Sequence, residues 1–203
     1  MLISIVVPVA SQAEFFSFGV KGGMPAQIPL EQTDNRMPFV VGPTIDLRLF
    51  RGVSIETGVM FQRLGEQPSN GVLLYPENSV TLSYGTQTAH ALDIPILAKV
   101  HLLSRRGRWQ PFVTLGPTVR RTTFETSSFV SILSGAQLVA VPPQPVLNLS
   151  TVDWRVDPTF GTGVDFRTGR FHLEPEVRYS YWGAGADHPV RKNQVDFLLG
   201  FRF

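Results

Sequence analysis

The chain has 203 residues, enough for one domain, and a formal net charge of only +2. Charged residues make up 17%, below the usual quarter, and no basic cluster exceeds "SRRGR", so nucleic acid is not an expected partner. Zero cysteines exclude disulfides and thiolate metal sites.

The first segment, "MLISIVVPVASQA", is an apolar run followed by Ser11 and Ala13 in the small-residue positions of a signal-peptidase site. We expect residues 1–13 to be a signal peptide whose basic n-region is missing, and residues 14–203 to be the mature domain. The competing reading is a buried N-terminal strand. No other stretch reaches the ~18 apolar residues of a transmembrane helix, so an exported product is soluble or spans as a barrel.

Alternating runs follow, with no helical periodicity of any length between them. "FSFGVKGG" comes first, then "FVVGPTIDLRLFRGVSIETGVMF", in which a three-residue loop Phe50-Arg51-Gly52 places Gly where a left-handed residue is wanted. That loop pairs Leu49 with Val53 and puts Asp46, Arg48, Ser54 and Glu56 opposite Ile45, Leu47, Ile55 and Val59. "HALDIPILAKVHL" and "WQPFVTLGPTVRR" come next, and then a long, unusually apolar connection over 123–153. "VDPTFGTGVDF" and "FHLEPEVRYSY" form a hairpin; a Thr168-Gly169 turn pairs Phe166 with Phe171 and sets Gly161 and Gly163 across from Glu176 and Glu174. Last is "NQVDFLLGFRF", with Val195, Phe197, Leu199, Phe201 and Phe203 on one face.

Eight strands result, joined by short turns on one rim and long connections on the other. This is the layout of an outer-membrane barrel. The fold expected is all-β, an eight-stranded antiparallel up-and-down transmembrane β-barrel. A lipocalin-like soluble barrel also has eight strands, but it points apolar residues inward around a ligand. Here the apolar faces carry aromatic residues at both ends: Phe16, Trp109, Phe171 and Phe203 near the short turns, and Phe39, Phe61, Trp154 and Tyr181 near the long connections. Two such girdles favour a lipid-facing exterior. Pro43, Pro117, Pro158 and Pro175 each remove a ladder donor, which predicts bulges or rim positions there.

At "FSFGVKGGMP", "ALDIPILAKVHL", "PFVTLGPTV", "GTGVDF", "LEPEVRYSY" and the terminal Phe, the chain resembles the bacterial outer-membrane β-barrel domain family that includes PorT-like proteins. The resemblance covers essentially the whole mature chain. It implies a Gram-negative outer-membrane location, contact with outer-membrane lipid, and delivery by the barrel-insertion machinery, which reads the terminal Phe. It supplies no catalytic residues.

The opposite faces assemble an interior polar network: Lys21, Asp46, Arg48, Glu56, Asp93, Lys99, Arg120, Asp165, His172, Glu174, Glu176, Arg178 and Asp196. His172, Glu174 and Glu176, with Asp165 opposite, have the residue types of a metal or acid–base site. Mutual neutralisation with Lys99 and Arg178 is the preferred reading, since eight strands leave an interior barely wider than its own side chains. We expect no cofactor and no metal. A rim-sited lipid hydrolase would need Ser beside His; His172 and Ser180 lie about 27 Å apart along one strand, which excludes that pair. The 123–153 connection offers Phe129, Ile132, Leu133, Leu138, Val139 and Val141 as a candidate surface for a protein or apolar ligand. The expected function is therefore non-enzymatic, structural or surface-binding through long extracellular loops. The alternatives are a rim-sited lipid-modifying hydrolase and a soluble lipocalin-like ligand-binding barrel.

Overall fold

The computed structural model describes residues 15–26, 37–50, 52–75, 79–102, 108–134, 137–138, 144–182 and 192–203. The proposed signal segment lies outside them. The strands are β1 (Phe16–Pro25), β2 (Phe39–Phe50), β3 (Val53–Gly58), β4 (Met60–Tyr75), β5 (Ser79–His101), β6 (Trp109–Ser134), β7 (Gln137–Leu138), β8 (Gln144–Thr168), β9 (Phe171–Tyr181) and β10 (Asn193–Arg202). β3 and β4 are one strand interrupted at Val59, and β7 is a two-residue ribbon against the end of β6. Eight staves remain. Each pairs antiparallel with its neighbours in sequence, and β1 pairs with β10 from Gly19↔Arg202 to Pro25↔Asp196, closing the ring.

The period-2 pattern decides which face meets which medium. Phe197 and Leu199 are each 53% exposed, whereas Leu198 between them is 5% exposed. The inward set is mostly polar and buried: Lys21, Glu56, Lys99, Arg120 and Glu174 all lie inside, while the exposed side chains of the staves are Phe, Leu, Val, Ile and Trp. A lipocalin interior would reverse this. All eight predicted girdle aromatics are exposed on the outer face.

The β2–β3 hairpin keeps its expected register from Thr44↔Gly58 to Arg48↔Ser54. The ladder then shifts, so Phe50 rather than Leu49 meets Val53, and Gly52 takes the left-handed φ of 81°. The β8–β9 hairpin departs from its expected register by two residues. Gly169, with φ 64°, opens the turn instead of closing it, and Thr168 pairs with Phe171, Phe166 with Leu173. Gly161 and Gly163 consequently oppose Arg178 and Glu176, not Glu176 and Glu174. A shift of two leaves every side chain on its assigned face; a shift of one would have turned the strand inside out.

The strand prolines occupy breaks in the ladders. β5–β6 pairing skips from Pro95↔Thr118 to Ala98↔Leu115, leaving Pro117 unpaired with β5. β8–β9 pairing begins only at Thr159, one residue beyond Pro158, and skips from Gly163↔Glu176 to Phe166↔Leu173 around Pro175. Pro43 faces the interruption at Val59, whose N–H donates to the Pro43 carbonyl at 3.1 Å. A residue with no donor sits where no donor is used.

The staves are unequal. β1, β2, β9 and β10 have 10, 12, 11 and 10 residues, close to the roughly 9–11 that cross a bilayer. β5, β6 and β8 have 23, 26 and 25, and β4 adds 16 beyond β3. The connection expected over 123–153 is therefore mostly strand: β6 continues to Ser134, β8 starts at Gln144, and they stay paired up to Val130↔Gln144. β4 and β5 likewise stay paired to Tyr75↔Ser79. The alternation in "SVTLSY" was available as a strand signal. It was obscured because a sheet standing in water on both faces carries Thr and Ser in place of a continuous apolar face.

Candidate functional site

Two regions are candidates: the lumen, and the sheet that rises beyond the long-connection rim. The lumen is built in layers by inward side chains from every stave.

Nearest the short turns, Arg202 bonds Asp46 at 2.8 Å, Asp165 at 2.7 Å and Glu174 at 2.9 Å. His172 Nδ1 lies 2.7 Å from Asp165, and His101 Nε2 lies 3.8 Å from the same carboxylate. In the next layer the Lys99 ammonium lies 2.7 Å from Glu174, 3.3 Å from Glu56 and 3.5 Å from Asp46. Lys21 reaches Glu56 and Glu176, both at 2.6 Å, and Arg178 reaches the same two at 2.7 and 2.9 Å. Gly161 makes room for this cluster, because a Cβ there would meet Glu176 Oε1 at 2.7 Å.

Asp46, Glu56 and Glu174 offer three oxygens within 4.8 Å of one another, a spacing that can hold a metal ion. The Lys99 ammonium stands among them, within 3.5 Å of all three. With Lys21, Arg178 and Arg202 it balances the trio's charge, and with Lys99 protonated a metal cation would meet direct repulsion there. His172 and Asp165 belong to the layer below and do not join this trio.

Above the cluster, Val40, Met60 and Leu198 pack together beside a cavity of about 20 Å³, room for one water, that Asp93, Arg178, Ser180 and Asp196 also line. Arg120 comes next. It makes a two-pronged bond to Asp93, both distances 2.7 Å, reaches Asp157 at 3.4 Å, and lies 3.8 Å over the Trp182 ring. Asp196 accepts from Gln194 Nε2 at 2.6 Å. Trp182 then packs with Leu64, Ala89, Ala91 and Phe124, an apolar plug at the long-connection end of the lumen.

Of the thirteen predicted network residues, eleven are buried in the lumen, His172 is half-buried, and Arg48 is exposed at the short-turn mouth. The expected network did not include Arg202 and Asp157, although the strand pattern puts both on the inward face. It also missed the plug: Trp182 is the next inward position after Ser180, but the predicted strand stopped at Tyr181. Ser180 hydroxyl lies 3.2 Å from Thr159 hydroxyl, and Asp165 with its histidines is at the opposite end of the stave. The hydrolase constellation is thus not assembled by these residues.

The second region is the four-stranded sheet formed by the outer parts of β4, β5, β6 and β8. Phe129, Ile132, Leu133 and Leu138 lie on its strands β6 and β7. Their side chains, and Val139 and Val141 altogether, lie outside the described residues.

A closed antiparallel ring with an apolar exterior, aromatic girdles and a charged interior defines a transmembrane β-barrel. Residues 10–183 match the outer membrane protein beta-barrel domain family, and the chain belongs to it; the protein resides in the bacterial outer membrane. Among solved structures, the chain is similar to Neisserial surface protein A, with 12% identity, a TM-score of 0.47, and 93% of this chain and 95% of that one covered. It is also similar to the N-terminal β-barrel domain of Pseudomonas aeruginosa OprF, with 12% identity, a TM-score of 0.42, and 92% and 97% covered. A third is Ail, the attachment invasion locus protein of Yersinia pestis, with 10% identity, a TM-score of 0.39, and 93% and 97% covered. No curated protein matches the chain.

Proposed function

We propose that the protein is a non-enzymatic surface-binding barrel whose working part is the sheet of β4, β5, β6 and β8 beyond the membrane. One observation carries this reading: the lumen is filled by paired charges and an apolar plug, while three of its staves run to more than twice the length a bilayer requires. A strand held in water by pairing alone orders about 1–2 kcal/mol of backbone entropy per residue, which favours a use for the extension over an accident of length. The partner is a protein or apolar ligand at the tip of the β6–β8 hairpin, where the sequence concentrates Phe129, Ile132, Leu133, Leu138, Val139 and Val141.

The test trims the hairpin in register. Removing residues 128–147 and joining Ser127 to Asn148, which are partners, through a short turn keeps every remaining pair intact. The trimmed protein should insert and show the heat-dependent gel shift of a folded barrel, yet lose surface binding in whole cells. The intact protein should show no steady solute-sized conductance in planar bilayers. A stable open channel in both forms would return the function to the lumen.

A further inference from the structure

The outer face carries a second candidate site, at the level where the apolar belt ends. On β6 the outward positions run Trp109, Pro111, Val113, Leu115, Pro117, Val119 and then Arg121. Ten residues at about 3.3 Å each, tilted by about 40°, place Val119 about 25 Å from Trp109 across the membrane, the height of a barrel's apolar band. Arg121 is the next step out. Among the described strand residues, no outward position between the short-turn rim and this level carries a charge, and two positions at this level do: Arg121 and Arg63.

Register fixes their relation. Phe39, Arg63, His90, Thr123 and Val152 form one outward row across β2, β4, β5, β6 and β8. Val41, Phe61, Leu92, Arg121 and Trp154 form the row beneath it. Arg63 and Arg121 therefore stand two strands and one row apart, roughly 12 Å between backbones. Aromatic rings surround them: Arg121 lies 5.8 Å over Trp154, and Phe61 stacks on His90 at 5.7 Å. Arg63 Nε and His90 Nδ1 are buried polar atoms with no partner among the described residues. The following outward row carries Glu66 and Glu125, which confines the positive layer to a single depth.

We propose that Arg63 and Arg121, with His90 between them, hold the phosphate groups of a phosphorylated lipid of the outer leaflet. A guanidinium presents a planar fork that binds phosphate through two parallel bonds. At the edge of the hydrocarbon the acyl chains lie along the apolar staves below, and the headgroup phosphate reaches the arginine level. Trp154 holds Arg121 against the barrel wall and limits the freedom lost on binding.

The whole chain is refolded into phosphatidylcholine nanodiscs doped with bis-phosphorylated lipid A, or with the same glycolipid stripped of its phosphates. After transfer to detergent, native mass spectrometry counts the glycolipid retained. The wild type should retain the phosphorylated form over the stripped one by about tenfold, the scale of one charge-assisted bidentate contact. The double variant Arg63→Gln with Arg121→Gln should lose that preference. Arg63→Lys with Arg121→Lys, which keeps the charge and loses the fork, should retain part of it. The heat-dependent gel shift should be unchanged in both. Equal retention of the two glycolipids, or a preference that survives in the Gln variant, would overturn the proposal. So would complete displacement by excess inorganic phosphate, which would make the site one for free anions.

Discussion

Lys99 joins three carboxylates from three staves, Asp46 on β2, Glu56 on β3 and Glu174 on β9, and each of its partners is buried. Replacing Lys99 by Met removes the one cation common to all three and leaves Arg202, Lys21 and Arg178 to balance them, which should lower stability by about 3 kcal/mol. The unfolding midpoint in lipid vesicles measures this, and a chelator added to the wild type should leave the midpoint unchanged because an ammonium stands among the three oxygens. On the outer face the ranking depends on parity. Leu199→Arg puts a charge into hydrocarbon and should cost about 2–4 kcal/mol near the midplane. Leu198→Gln, one residue earlier, turns inward beside the cavity lined by Asp196, Arg178 and Ser180, and should fold with little loss. Insertion yields of the two variants give the comparison. Parity made the inward membership of Lys21, Lys99, Glu174 and Glu176 legible in the sequence. The partners were not legible, because Lys21 meets Glu176 across the lumen, 155 positions away. That meeting depends on barrel diameter and strand stagger, which no local pattern encodes.

The staves themselves were readable wherever lipid faces them, since a bilayer demands an unbroken apolar side. The extension of β4, β5, β6 and β8 faces no lipid, and its Thr- and Ser-rich strands read as a long connection. The hairpin at Gly169 shows a finer limit: a Gly in a two-residue turn can take either central position, and the two choices differ by two residues in register. Prolines mark the ladder breaks. Pro175→Val adds an N–H at a position where β8 and β9 are unpaired, so it brings no ladder bond and should lower rather than raise folding yield, by the cost of one unpartnered donor. Val177→Pro is the opposite case. Val177 pairs with Thr162 on one side and Phe197 on the other, and losing its donor would strand a carbonyl within the bilayer, at several kcal/mol. Folding yield into vesicles should fall further for Val177→Pro, which breaks an existing ladder and distorts both neighbours, than for Pro175→Val.

Across the whole molecule, the inner charges tie early strands to late ones. Lys21 of β1 and Glu56 of β3 bond each other and each gains a further partner on β9, while Asp46 of β2 meets Lys99 of β5 and Arg202 of β10, 156 positions further along. Within β1 to β6 Lys21 already meets Glu56, Lys99 meets Asp46 and Arg120 meets Asp93, so those strands carry balanced inward charge of their own. What they lack without β10 is a closed edge, because β1 has no second partner until β10 pairs with it and an open edge is not tolerated in hydrocarbon. The strand that closes the ring also brings Arg202, the cation that gathers Asp46, Asp165 and Glu174 at the short-turn mouth, so the seam and the mouth of the lumen are completed together.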